Sequence, residues 1–426
     1  MTAGGENALG IYISIPFCRS KCTYCNFASG VYPASEHARY VDRLIEDLRG
    51  ARGWAARAGA ALPRVVDTIY LGGGTPSLLA PELLTRLFGS LRAEFELDAK
   101  AEITMECAPG QLPDATLEAM AAAGVNRVSL GVQSFVDSEA HASGRLHSRA
   151  LIEVDMTRLR AAGISNLNVD LIAGLAGQTE ASWDESLAAL VDSGVPHASI
   201  YMLEVDEDSR LGREVLAHGS RYRASQVPGD DAIARMYEQA IERLGEAGLR
   251  QYEISNFARS GFESRHNLRY WQRRPYLGIG LDASSMALHA TAFRTGESGT
   301  STLHPVLRST TTDDLTAYLA GTENEEISWL GAARQLEEAW FLGLRVNAGV
   351  DVAALQQEFG REMLAPAMES VRRLAEDGLL EFDGGRVRLT PRGRLISNDV
   401  FQEFLITGIR DQGSGISLLP SLEQTA

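Results

Sequence analysis

The sequence predicts an α/β protein with a mainly parallel sheet, followed by a smaller C-terminal unit. Three observations carry this. Apolar runs rich in Val, Ile and Leu recur at about residues 11–15, 65–72, 101–107, 127–133, 166–174 and 197–203. Segments of helical periodicity separate them, among them PELLTRLFGSLRAEF, ATLEAMAAAG, ALIEVDMTRLRAAG and SWDESLAALVDSG. After about residue 325 the alternation stops and the pattern becomes helix, helix, hairpin, helix. Strands alternating with helices imply right-handed crossovers between parallel neighbours. The count fits either an open doubly wound sheet or a partly closed barrel.

The first apolar run leads into IPFCRSKCTYCNF, which holds three of the four cysteines of the 426-residue chain. The second leads into YLGGGTPS, residues 70–77, where glycines allow close approach to the backbone and a proline stiffens the turn. Both segments therefore fall at strand ends, where parallel α/β folds build their sites. Gly124, Gly163, Gly194 and Gly248 stand where the intervening helices stop, as left-handed C-caps require. The C-terminal part places a hairpin at Asp383-Gly384-Gly385 and has a winged-helix-like outline. From 351 to 405 it carries seven basic and ten acidic side chains, so the basic footprint of a DNA binder is missing and a lid over the sheet is the expectation. Residues 409–426 are polar and aperiodic, and are expected to fray.

The formal charge of -16 argues against broad binding to nucleic acid. No apolar run is long enough to cross a bilayer and no signal peptide is apparent, so a cytoplasmic protein is expected. Lys21 and Lys100 are the only lysines, leaving few candidates for Schiff-base chemistry.

Cys18, Cys22 and Cys25 follow a C-x3-C-x2-C spacing, and Cys107 lies far off at the end of a strand, where it reads as a small buried residue. Bunched cysteines in a long chain fit metal or redox chemistry better than a disulfide framework. Structural zinc takes four ligands in two separated pairs, and no second pair is present. Three thiolates can instead hold three irons of a [4Fe-4S] cluster and leave the fourth open to an exchangeable ligand.

This spacing, with Tyr24 just before the last cysteine, resembles the radical S-adenosylmethionine superfamily. The resemblance implies a partial (β/α)6 barrel, a [4Fe-4S] cluster on Cys18, Cys22 and Cys25, and S-adenosyl-L-methionine on the open iron. In that superfamily, electron transfer from the cluster generates a 5'-deoxyadenosyl radical. TMECAPG (104–110), RVSLGVQSF (127–135), SGRLHS (143–148) and NVDLIAGLAGQT (168–179) then resemble, in order, the coproporphyrinogen III oxidase-like branch. Matched residue by residue, they imply that Gly74, Thr75, Glu106, Gln133, Arg145 and Asp170 hold S-adenosylmethionine, with Tyr12 and Tyr24 near the cluster. Carboxylates accept from ribose hydroxyls and an arginine fork clamps a carboxylate, so these residue types suit the ligand. Ala108 and Ala176 depart from the usual Asn or Asp and Pro of the branch.

QYEISNFARSGFESRHNLRYWQ (251–272) resembles the HemW-type haem chaperones, whose H-N-x-x-Y-W element corresponds to His266, Asn267, Tyr270 and Trp271. An axial histidine and packed aromatics suit haem, while the same residues suit a packed core. The resemblance implies haem as cargo, haem-acceptor proteins and an electron donor as partners, peripheral membrane contact through acceptors, and a homodimer. The competing enzyme, an oxygen-independent coproporphyrinogen III oxidase, continues its loop C-x3-C-x2-C-x-C, whereas this loop continues Cys25-Asn26-Phe27. A tRNA-modifying radical enzyme would add cluster cysteines or a basic RNA module, and neither is seen. The resulting division is a short arm at 1–10, the barrel and its extension at 11–300, a C-terminal unit at 301–408 and the tail.

Overall fold

The computed structural model describes residues 8–293, 303–321 and 326–405. The expected tail at 409–426 and most of the N-terminal arm lie outside the described residues.

The chain opens with β1 (Leu9–Ile15), α1 (Ala34–Arg57), β2 (Ala60–Ala61), β3 (Val65–Gly73), α2 (Pro81–Glu94), β4 (Glu96–Cys107) and α3 (Asp114–Ala122). It continues through β5 (Arg127–Gln133), α4 (Asp137–Ala142), α5 (Arg149–Ala161), β6 (Asn166–Ala173), α6 (Glu180–Asp192), β7 (His197–Met202), α7 (Arg210–Leu216) and α8 (Asp230–Glu246). The short pieces β8 (Arg250–Gln251), β9 (Asn256–Ala258) and α9 (Arg265–Trp271) precede β10 (Tyr276–Ile279), β11 (Ser284–His289), β12 (Val306–Thr310), α10 (Leu315–Ala320) and β13 (Glu326–Leu330). All six expected strands are present. They pair in parallel in the order β1-β3-β4-β5-β6-β7, with β10 adding a further parallel strand beside β1. The sheet stays open, its ends being the antiparallel β8 and β13.

Side chains alternate across each strand. One face carries Ile11, Ile13, Ile69, Leu71, Met105, Val128, Leu130, Val169 and Ile200, all buried in the main apolar core. The opposite parity places Tyr12, Tyr70, Glu106, Ser129, Asn168, Asp170, Ser199 and Tyr201 on the inner, concave face, a polar lumen. Gly124, Gly163, Gly194 and Gly248 all have positive φ, as expected of helix stops.

Two expected boundaries move. β1 begins at Leu9, inside the proposed arm, and the sheet runs past residue 300 through β12 to Leu330, because three antiparallel strands extend the edge beside β10. The separate C-terminal unit begins with α11 (Ala332–Arg345) and continues through β14 (Val350–Asp351), α12 (Val352–Phe359), α13 (Arg361–Glu376), β15 (Leu380–Phe382), β16 (Arg386–Leu389), α14 (Pro391–Leu395) and α15 (Ser397–Gln402). Its three strands pair as β14-β16-β15, with the hairpin at the predicted Gly384 (φ 88°). Trp340 stacks on Phe404 with centroids 4.9 Å apart, in a second core to which Ile254 of the barrel contributes.

This unit does not sit as the expected lid. It attaches to the stretch 252–254, where Ile254 N donates to Arg345 O (3.2 Å) and Asn347 N to Tyr252 O (2.9 Å). Tyr252 bonds His197, the first residue of β7, so the attachment lies at the N-terminal ends of the strands. The cysteine loop is at the other end, which leaves the mouth of the barrel uncovered by the C-terminal unit.

Candidate functional site

At the strands' C-terminal ends the cysteine loop is held on several sides. Cys18 N donates to Gly30 O (2.8 Å) and Gly30 N to Pro16 O (2.8 Å), closing its base. Lys21 Nζ donates to the carbonyls of Phe27 (2.5 Å) and Ser29 (2.9 Å) inside it. Thr23 N donates to Ser143 O (2.9 Å), Ser20 Oγ to Gly144 O (2.8 Å) and Leu211 N to Thr23 O (2.7 Å). Arg210 also bonds the Lys21 carbonyl. Thus the loop has a definite shape supplied by its neighbours.

Within it Cys18, Cys22 and Cys25 are half-buried free thiols. Burial raises the Cys18 pKa, and the nearby Cys25 and Cys22 sulfurs add to this. Among the described residues no three His, Cys, Asp or Glu side chains converge as ligands of a single metal ion. A cluster makes a different demand, since each thiolate binds its own iron.

The glycine turn is stitched to this loop, with Gly74 N donating to Ile15 O (2.9 Å) and Thr75 N to Phe17 O (2.8 Å). A Cβ on Gly74 would lie 2.8 Å from the carbonyl oxygens of Ile15 and Phe17, and Gly73 has φ 96°. Only glycine permits this approach. Thr75 Oγ1 reaches Cys18 Sγ at 3.9 Å.

The lumen beneath brings the other expected residues together. Tyr12 lies 6.2 Å from Tyr70, centroid to centroid, and Tyr70 donates to Glu106 Oε1 (2.9 Å). Burial and then the Asp170 carboxylate push Glu106 up to about 8, against the pull of Tyr70, the Gly73 amide and Arg145. Asp170 accepts from Ser129 Oγ (2.9 Å) and Asn168 Nδ2 (2.6 Å), yet burial still raises its pKa. Burial disfavours charge on Arg145, but Tyr24, Cys22, Cys18 and Asp170 outweigh it and hold its pKa above the ordinary value. The guanidinium of Arg145 packs against Gly131.

Two atoms here are buried and unpartnered, Gln133 Oε1 and Arg145 Nε, with Gln133 itself at φ 68°. Buried polar atoms are nearly always paired, so such vacant valences suit a polar ligand. With them stand two carboxylates, a guanidinium, a backbone cradle that excludes a Cβ, and three adjacent thiols. This donor set fits both a thiolate-held iron–sulfur cluster and a ligand bearing amino, carboxylate and hydroxyl groups.

The four H-N-x-x-Y-W residues lie elsewhere. His266 is fully buried, its Nδ1 2.9 Å from Thr68 Oγ1 and its Nε2 2.7 Å from Tyr270 OH. Both nitrogens being engaged, the ring as folded offers no lone pair to a haem iron. Tyr270 packs edge-on to Tyr276 at 4.6 Å, Trp271 lies beneath the Arg345 guanidinium at 4.5 Å, and Asn267 is buried. In the structure this element packs across the floor of the barrel, where Thr68 and Glu102 on the lower parts of β3 and β4 supply its partners. Cys107 is buried in the outer core, its thiol pushed up to about 12 by burial.

Tyr70, Lys21 and Arg210 were not anticipated. Tyr70 was recoverable from parity, standing two positions before Gly72 on β3. Arg210 carried no local signal, because it reaches the loop from 189 positions away.

The radical SAM superfamily model matches residues 12–190, and the HemN C-terminal domain model matches 332–396. A heme chaperone HemW from Lactococcus lactis is 32% identical over 398 residues, covering 93% of this chain and 97% of that protein. The Mycobacterium tuberculosis heme chaperone HemW is 34% identical over 93% of this chain and 94% of its own length. Radical S-adenosyl methionine domain-containing protein 1, mitochondrial, of Mus musculus is 32% identical over 93% of this chain and 87% of its own. Among solved structures, coproporphyrinogen III oxidase (HemN) of Escherichia coli superposes with a TM-score of 0.76 at 21% identity, over 94% of this chain and 90% of that one, which establishes a common fold. By sequence over nearly its whole length and by fold, the chain belongs to the HemW family of the radical SAM superfamily.

Proposed function

We propose that the protein is a haem chaperone that carries a [4Fe-4S] cluster on Cys18, Cys22 and Cys25, holds S-adenosyl-L-methionine beside it, and binds haem for transfer to acceptor proteins. The observation that carries the cofactor reading is that the loop bearing the three cysteines, the Gly72–Gly74 turn bonded to it and the unpartnered Gln133 and Arg145 atoms lie at one mouth. Gly74 and Thr75 receive the amino group of S-adenosylmethionine. Arg145 pairs with its carboxylate, Glu106 and Asp170 accept from its hydroxyls, and Gln133 supplies a further polar contact. Tyr12 and Tyr24 bound the space near the thiols. When bound, the cluster supplies one-electron reduction and the sulfonium supplies a cleavable bond. An electron donor is a partner on this reading, and a homodimer and peripheral contact with membrane-bound acceptors are further expectations. Among the described residues no helix is long and apolar enough to cross a membrane, and a cytoplasmic location is proposed.

Phe27, in place of the additional loop cysteine of the oxidase branch, supports the chaperone over the oxidase. Anaerobic reconstitution followed by haem, and separately by coproporphyrinogen III with S-adenosylmethionine and a reductant, separates the two. A Soret shift without protoporphyrinogen IX supports the proposal, and turnover of coproporphyrinogen refutes it. Cys22→Ser is expected to remove nearly all iron–sulfur absorbance, since two thiolates anchor a cluster poorly.

A further inference from the structure

A [4Fe-4S] cluster on Cys18, Cys22 and Cys25, the reading on which this inference rests, is anionic, and its reduction adds a further negative charge. Net charge and hydrogen bonds to the sulfurs set the reduction potential of such clusters, so the side chains around the loop matter.

Of the 40 lysines and arginines in the chain only two are lysines, and one of them, Lys21, stands between Cys18 and Cys22. Its surroundings account for the residue type. Lys21 Nζ donates to the carbonyls of Phe27 (2.5 Å) and Ser29 (2.9 Å), two acceptors of one tight turn in which Ser29 N also donates to Phe27 O (2.7 Å). A compact ammonium with rotatable donors reaches both, whereas the planar guanidinium fork suits a flat bidentate acceptor. Lys21 is half-buried, and among the described residues no carboxylate pairs with it. Asp206, which does bond the loop, accepts from Asn26 Nδ2 (2.5 Å) instead. A half-buried cation held by carbonyls alone lacks a counter-charge, and three cysteines share its loop.

The same turn brings a hydroxyl to the sulfurs. Ser29 Oγ lies 3.9 Å from Cys25 Sγ, as Thr75 Oγ1 does from Cys18 Sγ. A thiolate bound to iron can only accept, so there the hydroxyl donates. Two other cations approach the loop. Arg145 is engaged by the ligand carboxylate in the reading above, and Arg210 arrives from α7, bonding the Lys21 carbonyl and lying over the Tyr222 ring at 5.4 Å. Their charges act in the same sense, but only Lys21 bonds the turn that carries Ser29.

We propose that Lys21 and Ser29 together stabilise the reduced cluster: the Lys21 ammonium is its local counter-charge and positions Ser29, whose hydroxyl donates to the Cys25 thiolate. Both raise the reduction potential and so ease uptake of an electron from the donor.

The test is a redox titration, followed by electron paramagnetic resonance, of the full chain reconstituted anaerobically. Lys21→Gln keeps an N–H donor and loses the charge, and is expected to lower the one-electron reduction equilibrium by about tenfold, a midpoint about 59 mV more negative. Ser29→Ala is expected to lower the same equilibrium by about threefold. Lys21→Arg keeps the charge and should fall less than Lys21→Gln. Iron per chain and circular dichroism serve as the loading and folding checks. A parental midpoint in Lys21→Gln, or an equal fall in Lys21→Arg, overturns the proposal. Should Lys21→Gln load no iron, Ser29→Ala decides, and an unmoved midpoint there overturns it. A parent protein that takes up no [4Fe-4S] cluster removes the cofactor reading itself, whereas a loaded parent with unmoved variants removes only this assignment.

Discussion

Glu106 shows how the site is charged before any ligand arrives. Its carboxyl is held at about 8 against an ordinary value of 4.5, chiefly by burial and then by Asp170 across the lumen. A group raised on folding stabilises the folded state fully below its unfolded pKa, and that contribution is lost as pH rises through the folded value. The cofactor-free protein should therefore lose thermal stability as pH is raised from about 4.5 to beyond 8. Glu106→Gln, neutral throughout, should flatten the profile, which differential scanning fluorimetry reads directly. Equal pH slopes in parent and variant would assign the effect elsewhere. Asp170, also raised, acts in the same sense, so Glu106→Gln should flatten the slope without abolishing it.

At the scale of elements, the turn after β3 and the floor helix α9 make opposite demands on substitution. Adding a methyl at Gly74 drives it into two backbone carbonyls, and neither can swing away as a side chain would. Gly74→Ala should displace the cysteine loop, and reconstituted protein should hold less iron per chain at unchanged far-ultraviolet dichroism. In α9, His266→Ala leaves the Tyr270 hydroxyl and Thr68 Oγ1 without their shared partner. A cost of about 1–3 kcal/mol in urea unfolding is expected. The contrast bears on what the sequence made legible. The strands and their helix stops were readable because Val, Ile, Leu and Gly mark them locally, and the C-x3-C-x2-C loop because its ligands are adjacent. β10 carries no such mark, since Tyr276–Ile279 is too short to show a period. The buried state of His266 was not readable at all, because both of its partners outside α9, Thr68 and Glu102, lie more than 160 positions away. Motif membership singled out the histidine, and only packing shows what it touches.

For the whole molecule, the decisive arrangement is two ends with different duties. The mouth gathers thiols, glycine turn and lumen carboxylates, and the floor is where the C-terminal unit is bolted on. The bolt is ionic and buried: Glu253, fully buried, pairs with Arg345 of α11 at 3.2 Å, and the same guanidinium covers Trp271. Glu253 also accepts from Asn256 Nδ2 (2.6 Å), Asn256 from Ser199, and Ser199 shares Asn168 with Asp170. A continuous polar chain thus runs from the lumen carboxylate to the attachment of the C-terminal unit. Removing one member of a buried pair strands the other charge, which costs about 3–5 kcal/mol. Arg345→Leu should accordingly lower the unfolding free energy by about that amount, and because Glu253 then has no cation, Glu253→Gln in the same chain should restore part of it. If the double variant is no more stable than Arg345→Leu alone, Arg345 holds the two units together through Trp271 rather than through the ion pair.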